Sequence, residues 1–192
     1  MNLYHEHSRA LQDRFDSRRI ADRLAEKLLR AEFSDEDRSF IERQGLFFLA
    51  SADAQGRPDC SYKGGAPGFV RVVAPDTLVF PSYDGNGMFR SLGNILANPA
   101  VGLLFIDFEA QQRLRVNGRA SLHVDDPLKG EYPGAQALVR VRAEQIFPNC
   151  PRYIHRMQLV EASPYVPAAG APAPVPGWKR NPAFKDYLPR DG

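Results

Sequence analysis

The sequence predicts a mainly β (α+β) domain in which six or seven strands form a small barrel, with one embedded short helix and an N-terminal helical arm. Apolar residues recur at helical spacing through the first 44 residues. Short apolar or alternating runs separated by turn residues follow, and a single helical pattern interrupts them. This alternation does not distinguish a closed barrel from a partly closed barrel or a sandwich.

The N-terminal helical arm is predicted over residues 1–44. Its apolar residues recur through a charged background, as an amphipathic helix requires: Leu11, Phe15, Ile20, Leu24 and Leu28. Ser34 followed by three acidic residues is a capping signal for a second short helix, which contains Phe40 and Ile41. We expect Gly45 to end that helix.

The barrel domain is predicted over residues 45–160. Its strand candidates are 46–52, 58–63, 69–73, 77–80, 101–108, 113–124 and 137–147. Asn117-Gly118 in the sixth run is either a hairpin turn or a bulge, and the continuing alternation favours a bulge in one long strand. Residues 87–97 carry the embedded helix, which ends at Asn98-Pro99.

A Pro-rich C-terminal tail is predicted over residues 161–192, after a short helix at 151–161. The tail holds the only tryptophan, Trp178, which we expect to dock against the domain. Phe47, Phe48, Phe105 and Phe108 are predicted to lie in the barrel core, and Cys60 is predicted to be a buried strand residue.

Composition narrows the classes of function. The net charge of +2 gives no electrostatic footprint for nucleic acid or for an anionic membrane. Two cysteines make no disulfide framework, and no Cys-x-x-Cys pair suggests a zinc site. His5 and His7 resemble a small metal motif, but a pair of this spacing near the N-terminus is typical of solvated chain. The N-terminus lacks an apolar signal-peptide core, and the longest apolar run, 101–106, is only strand-sized. We therefore expect a cytoplasmic protein with no bound metal.

The stretch from Phe47 to Leu122 resembles the pyridoxamine 5'-phosphate oxidase-like family of FMN-binding split barrels. The resembling segments are FFLASADAQGRPDCSYKGG, TLVFPSYDGNGMFRSLGNILANPAVGLLFIDF and RLRVNGRASL. Their order matches the family plan: a second strand ending near a Lys, an Arg-bearing helix closed by Asn-Pro, a very apolar strand, and a long strand with V-x-G-x-A. The combination is specific, although no single segment is.

The resemblance implies an FMN cofactor in a groove between two subunits, and therefore a homodimer. It also implies a set of cofactor contacts, and the catalytic residues stay unknown. Arg90 matches the family's phosphate-binding Arg, beside a helix start at which backbone N–H groups attract anions. Arg113 falls near the flavin ring. The implied contacts are Tyr62, Lys63, Pro81, Ser82, Asn86, Gly87, Met88, Phe89, Arg90, Ser91 and Arg113.

The chain also departs from the family's oxidase members. Ser91 stands where they carry a phosphate-gripping Lys, and their Tyr-x-x-x-Arg and C-terminal Arg-x-His segments, which hold pyridoxamine phosphate, are missing. The chain is more similar to an uncharacterised flavin-binding branch of the family, which has segments similar to FPNCPRYI. That similarity implies that Asn149, Cys150, Pro151 and Tyr153 line the second face of the flavin.

The resulting hypothesis is an FMN-dependent oxidoreductase whose substrate, a small molecule or a reduced nicotinamide, is not pyridoxamine phosphate. A non-catalytic flavin carrier or redox sensor is an alternative with the same groove. A haem-binding relative, with His155 as the ligand, and a deazaflavin-binding relative are two further alternatives. Cys150 is either a redox thiol beside the flavin or an inert residue, and the inert reading is favoured.

Overall fold

The computed structural model describes residues 3–168, 170 and 173–189. Its helices are α1 (Glu6–Arg14), α2 (Arg18–Leu28), α3 (Asp35–Glu42) and α4 (Arg90–Ala97). Its strands are β1 (Leu46–Ala52), β2 (Pro58–Gly64), β3 (Arg71–Ala74), β4 (Thr77–Tyr83), β5 (Ala100–Asp107), β6 (Gln112–His123) and β7 (Ala135–Pro148). Short 3₁₀ turns occupy Lys129–Glu131, Gly177–Arg180 and Lys185–Tyr187.

The strands form one antiparallel sheet in the order β2-β1-β5-β6-β7-β4-β3. The edge strands β2 and β3 are not paired with each other, so the barrel is split rather than closed. The predicted mainly β (α+β) split barrel with an embedded helix is therefore confirmed. Among the described residues, no helix combines the length and apolar character needed to cross a bilayer.

The core forms around Phe47, which is fully buried. Its ring centroid lies 4.9 Å from that of Phe80 and 5.1 Å from that of Phe105. Alternation along β1 turns Phe47 and Leu49 inward and leaves Phe48 half-exposed on the outer face. The prediction of a core position is therefore confirmed for Phe47 and Phe105, and it is wrong for Phe48 and Phe108, which are only half-buried.

The N-terminal arm consists of three helices. The first apolar pattern is split because Asp16 adopts a left-handed backbone, with φ of 49°, between α1 and α2. The predicted cap of the next helix is confirmed, since Ser34 and Asp37 form a reciprocal capping box at the start of α3. That helix ends at Glu42, ahead of the predicted Gly45.

Two further helix predictions are corrected. The embedded helix begins at Arg90 and not at residue 87, because Phe89 has a left-handed backbone with φ of 49°. Residues 149–163 form no helix. Their backbone binds tertiary partners instead: the Ile154 carbonyl accepts a hydrogen bond from Gln111, and the Met157 N–H donates to the Phe108 carbonyl.

The sixth run is one continuous strand, as predicted, but the bulge opposite Asn117-Gly118 lies in β7 and not in β6 itself. Asn117 pairs with Gln145, whereas Gly118 pairs with Ala143, so β7 has one extra residue at this point. A Cβ atom on Gly118 would lie 2.1 Å from the Arg142 carbonyl oxygen. Only glycine lets the two backbones approach this closely.

We predict that Gly118→Ala lowers the free energy of unfolding by about 2–4 kcal/mol, because the clash is with backbone that cannot move without breaking the β6–β7 ladder. Denaturant unfolding measures this change. Gly130→Ala is the matched control, since a Cβ atom there meets nothing within 4 Å. Equal unfolding midpoints for the two variants would contradict the packing argument.

Candidate functional site

A cavity of about 530 Å³ lies where β2, the end of β4 and the start of α4 meet. This volume is typical of sites that bind small molecules and cofactors. The cavity brings together many residues that are distant in sequence. Of the predicted site residues it gathers Tyr62, Lys63, Ser82, Asn86, Gly87, Met88, Phe89, Arg90 and Ser91.

One face of β2 supplies the polar wall of the cavity. Lys63 pairs with Phe47 across the sheet, Ser61 with Leu49, and Asp59 with Ser51. Directly opposed residues point to the same face, so Asp59, Ser61 and Lys63 share the face that carries the core on β1. Burial in the cavity lowers the pKa of Lys63, and the nearby carboxylate of Asp59 partly opposes that shift.

The start of α4 supplies backbone donors. The helix has no side-chain cap, and the Gly93 N–H is bonded to the Phe89 carbonyl. The N–H groups of the first turn are therefore available to an anion. Gly87, with φ of 75°, and an Asn86 side chain that accepts from the Met88 N–H at 3.0 Å shape the preceding loop. Arg90 is the first helical residue, whereas the predicted helix start at residue 87 would have made it the fourth.

A carboxylate lies among the cations and hydroxyls of this site. Asp59 Oδ1 is 3.5 Å from Arg90 Nε, and Asp59 Oδ2 is 3.4 Å from Ser91 Oγ. Ser91 Oγ is also 2.9 Å from Ser61 Oγ. The Arg90 side chain is 62% exposed, which leaves its guanidinium open to a ligand. Sequence reasoning missed Asp59, because its place beside Arg90 depends on how α4 packs against β2.

The donor set of the cavity fits a phosphate monoester such as that of the predicted FMN. Lys63 and Arg90 supply positive charge, and the hydroxyls of Ser61, Ser82 and Ser91 supply hydrogen-bond donors. The uncapped first turn of α4 adds backbone N–H groups. Two carboxylates on this surface oppose an anion, and Asp59 is the one that lies beside the cation predicted to bind phosphate.

A second cavity, of about 370 Å³, contains Arg113, Asn149 and Pro151. Arg113 Nη2 donates to the Cys150 carbonyl at 2.8 Å. Arg113 Nε and Asn149 Oδ1 are both buried, and neither has a hydrogen-bond partner among the described residues. Buried polar atoms without partners are uncommon in folded proteins. Within a single chain these residues do not line the first cavity.

The remaining predicted residues lie outside both cavities. Pro81 is buried in β4, opposite Leu138 of β7. Cys150 is exposed, and Tyr153 is 84% exposed. His155, the candidate haem ligand, is also exposed and lines neither cavity.

The prediction that Cys60 is buried is wrong. Cys60 is exposed and lines the first cavity. The C-terminal tail contributes Pro176 and Trp178 to the same cavity, so Trp178 docks against the domain as predicted. The residues that the structure describes contain no group of three or more His, Cys, Asp or Glu side chains that could hold a metal ion.

An open antiparallel barrel with an inserted helix defines a split-barrel protein, and its polar cavity is large enough for a small molecule. The model of the family described as pyridoxamine 5'-phosphate oxidase matches residues 33–164, and the chain belongs to this family. No curated protein matches the chain.

Several solved structures are similar to this chain. A putative pyridoxamine 5'-phosphate oxidase from Lactobacillus delbrueckii is 24% identical, with a TM-score of 0.49 over 62% of this chain and 95% of that chain. An FMN-binding protein from Syntrophomonas wolfei is 14% identical, with a TM-score of 0.45 over 73% and 97%. The haem storage protein HutZ from Vibrio cholerae is 24% identical, with a TM-score of 0.45 over 60% and 94%.

We predict that Lys63→Met stabilises the ligand-free protein at pH 7 by less than about 1 kcal/mol, since solvent in the open cavity screens the charge. Burial lowers the folded-state pKa of Lys63, so its charged form costs stability below that pKa. The cost disappears as the pH rises towards the unfolded-state pKa of about 10.4. The difference between the variant and the parent should therefore narrow between neutral and alkaline pH.

Thermal unfolding across this pH range measures the difference. Lys185→Met, which removes an exposed Lys from the tail, is the control and should show no such narrowing. A Lys63→Met protein that is less stable than the parent at pH 7 would contradict the assignment.

Proposed function

We propose that this protein is an FMN-binding flavoprotein that acts as an oxidoreductase on a small molecule or a reduced nicotinamide. The observation that carries the proposal is the first cavity, in which Lys63 and Arg90 flank the uncapped start of α4. A phosphate monoester needs this combination of cations and backbone donors. When bound, FMN supplies two-electron redox chemistry through its flavin ring.

Different residues of the cavity bind different parts of the proposed ligand. Arg90 and the first turn of α4 hold the phosphate, and Ser91 and Ser61 donate hydroxyl hydrogen bonds beside it. Lys63 is partly desolvated in the cavity. Its ammonium group stabilises the negative charge that develops on the ligand during reduction. Holding these groups in place before the ligand arrives reduces the cost of ordering them on binding.

Pyridoxamine phosphate is not the proposed substrate. The chain lacks the Tyr-x-x-x-Arg and Arg-x-His segments that hold it in the family's oxidase members. The first cavity has two cations, and the proposed FMN phosphate uses one of them. A second phosphate dianion would therefore compete for Lys63 beside the Asp59 carboxylate, which opposes it.

We also propose that the protein is a homodimer with the flavin between its subunits. Strand β5 is apolar on both faces, and its outward residues Leu104 and Ile106 are only half-buried in the single chain. Strands that are apolar on both sides are normally covered on both sides. In such a dimer, the unpartnered Arg113 Nε and Asn149 Oδ1 of one subunit would bind the flavin held by its partner.

A non-catalytic flavin carrier or redox sensor would use the same cavity. Turnover separates it from an enzyme, since an enzyme oxidises a reduced nicotinamide far faster than free FMN does. Extraction and identification of the chromophore from the purified protein separates FMN from deazaflavin and haem. Haem has the least support, because His155 lies outside both cavities.

We predict that Arg90→Ala weakens FMN binding about 10- to 100-fold, as expected for the loss of a charge-assisted hydrogen bond. Asp59→Asn should tighten FMN binding severalfold, because it removes the carboxylate that opposes the phosphate and pairs with Arg90. Fluorescence titration of the full-length apoprotein measures both dissociation constants.

Riboflavin, which has the same ring without the phosphate, is the matched ligand control. Neither variant should change the affinity for riboflavin by more than about twofold. Riboflavin has no phosphate, so it does not interact with Arg90 or Asp59 through that group. Equal effects on FMN and riboflavin would show that Arg90 does not bind phosphate. A parent protein that binds neither ligand would overturn the FMN proposal.

We predict that Leu104→Glu converts the dimer into a monomer, because a carboxylate in the centre of an apolar interface is desolvated without a partner. The residue faces outward, so the fold should survive. Light scattering and circular dichroism measure the mass and the fold. Val73→Glu, at an exposed apolar position on β3, should leave the mass unchanged. A monomeric parent would refute the dimer.

A further inference from the structure

The C-terminal segment forms one wall of the first cavity. Pro176 and Trp178 line the cavity together with β2, the end of β4 and the loop before α4. The family match ends at residue 164, so this wall comes from sequence outside the matched region. Trp178 is 39% exposed, which is a high value for the only tryptophan of the chain.

An ion pair holds this segment to the barrel. The Lys179 ammonium contacts the carboxylate of Asp84, which lies on the loop after β4 and also lines the cavity. The Lys179 side chain is 21% exposed, whereas that of Asp84 is 58% exposed. Lys179 also lies 5.8 Å from the Trp178 ring centroid, and the ring of Phe184 packs against Trp178 edge-on. These contacts bring the indole to the rim of the cavity.

The sequence that precedes this wall is rich in proline. Residues 161–176 contain five prolines, and proline-rich sequence favours extended conformations that lose little entropy on ordering. Fixing such a segment against the barrel costs less conformational entropy than fixing a flexible one. Indole is also the side chain with the largest flat aromatic surface, which suits it to cover a planar ring.

On the basis of the FMN function proposed above, we propose that residues 173–189 form a strap across the cavity, in which Trp178 covers the bound flavin ring and Lys179–Asp84 is the latch. Trp178 thereby determines which molecules reach the ring. This wall suits a ligand with a planar heteroaromatic ring. The indole also prevents bulky reductants from reaching that ring. Because the latch is a partly exposed ion pair, added salt weakens it.

The test measures release of FMN from the loaded full-length protein by stopped-flow fluorescence. Trp178→Ala should release FMN about tenfold faster than the parent, the scale of a lost aromatic stacking contact. Lys179→Ala should release it about two- to fivefold faster, as expected for a partly exposed ion pair. Trp178→Phe should lie between the parent and Trp178→Ala. Tyr187→Ala, which removes an 87% exposed aromatic ring from the same segment, should release FMN at the parent's rate.

A second measurement uses the single tryptophan as its own probe. Saturating FMN should reduce the quenching of Trp178 emission by acrylamide, because the ring would cover the indole. Unchanged acrylamide access, or release from Trp178→Ala at the parent's rate, would overturn the strap while leaving FMN binding intact. A parent that binds no FMN would overturn both the strap and the proposed function, and the titration of the parent identifies that case.

Discussion

The pairing of β2 with β1 determines which side chains face the cavity. Lys63 lies opposite Phe47, so the cation shares a face with the residue at the centre of the core. A shift of one residue in this register would turn Asp59, Ser61 and Lys63 away from the face that carries the core. Lys63 and Ser61 share this face because they lie opposite Phe47 and Leu49, which are fully buried. The apolar core of β1 therefore maintains the polar wall on β2.

The charges of the first cavity balance one another in the ligand-free protein. Asp59 lies beside Arg90 and opposes the fall in the pKa of Lys63, so the cations are partly compensated before any ligand arrives. Burying cations without a counter-charge would cost stability. The same carboxylate reduces the affinity for an anion. Asp59 thus lowers the affinity for an anion and raises the stability of the ligand-free protein. Such a compromise between function and stability is common at functional sites.

Much of the fold is predictable from local pattern. Alternation and turn residues located the seven strands, and the Ser34 capping signal located α3, because these features depend on neighbours in sequence. The embedded helix was predicted three residues too early, since nothing in the sequence signals the left-handed backbone of Phe89. The predicted helix at 151–161 fails because Gln111 and Phe108 supply partners for its backbone from elsewhere in the fold.

The candidate site was predictable only in part, for a related reason. Resemblance to the family identified Lys63 and Arg90, which the structure brings into one cavity. Asp59 and Cys60 were missed because their role depends on the packing of α4 and on the exposure of an edge strand. Arg113 and Asn149 were expected at the flavin, but in a single chain they line a different cavity. Sequence order does not reveal which subunit supplies a group.

The split in the barrel explains why the cavity lies where it does. β2 is one edge of the sheet, and β4 is next to the other edge, so the wall on β2 and the end of β4 face each other across the opening. Pairing β2 with β3 would close the opening and bury Asp59 and Lys63 without solvent, at a high desolvation cost. An open edge, however, exposes backbone groups that invite pairing with other chains. The C-terminal segment and the proposed second subunit would both cover surfaces that the split leaves exposed. A protein that keeps a polar groove in an apolar barrel therefore needs covering elements outside the sheet.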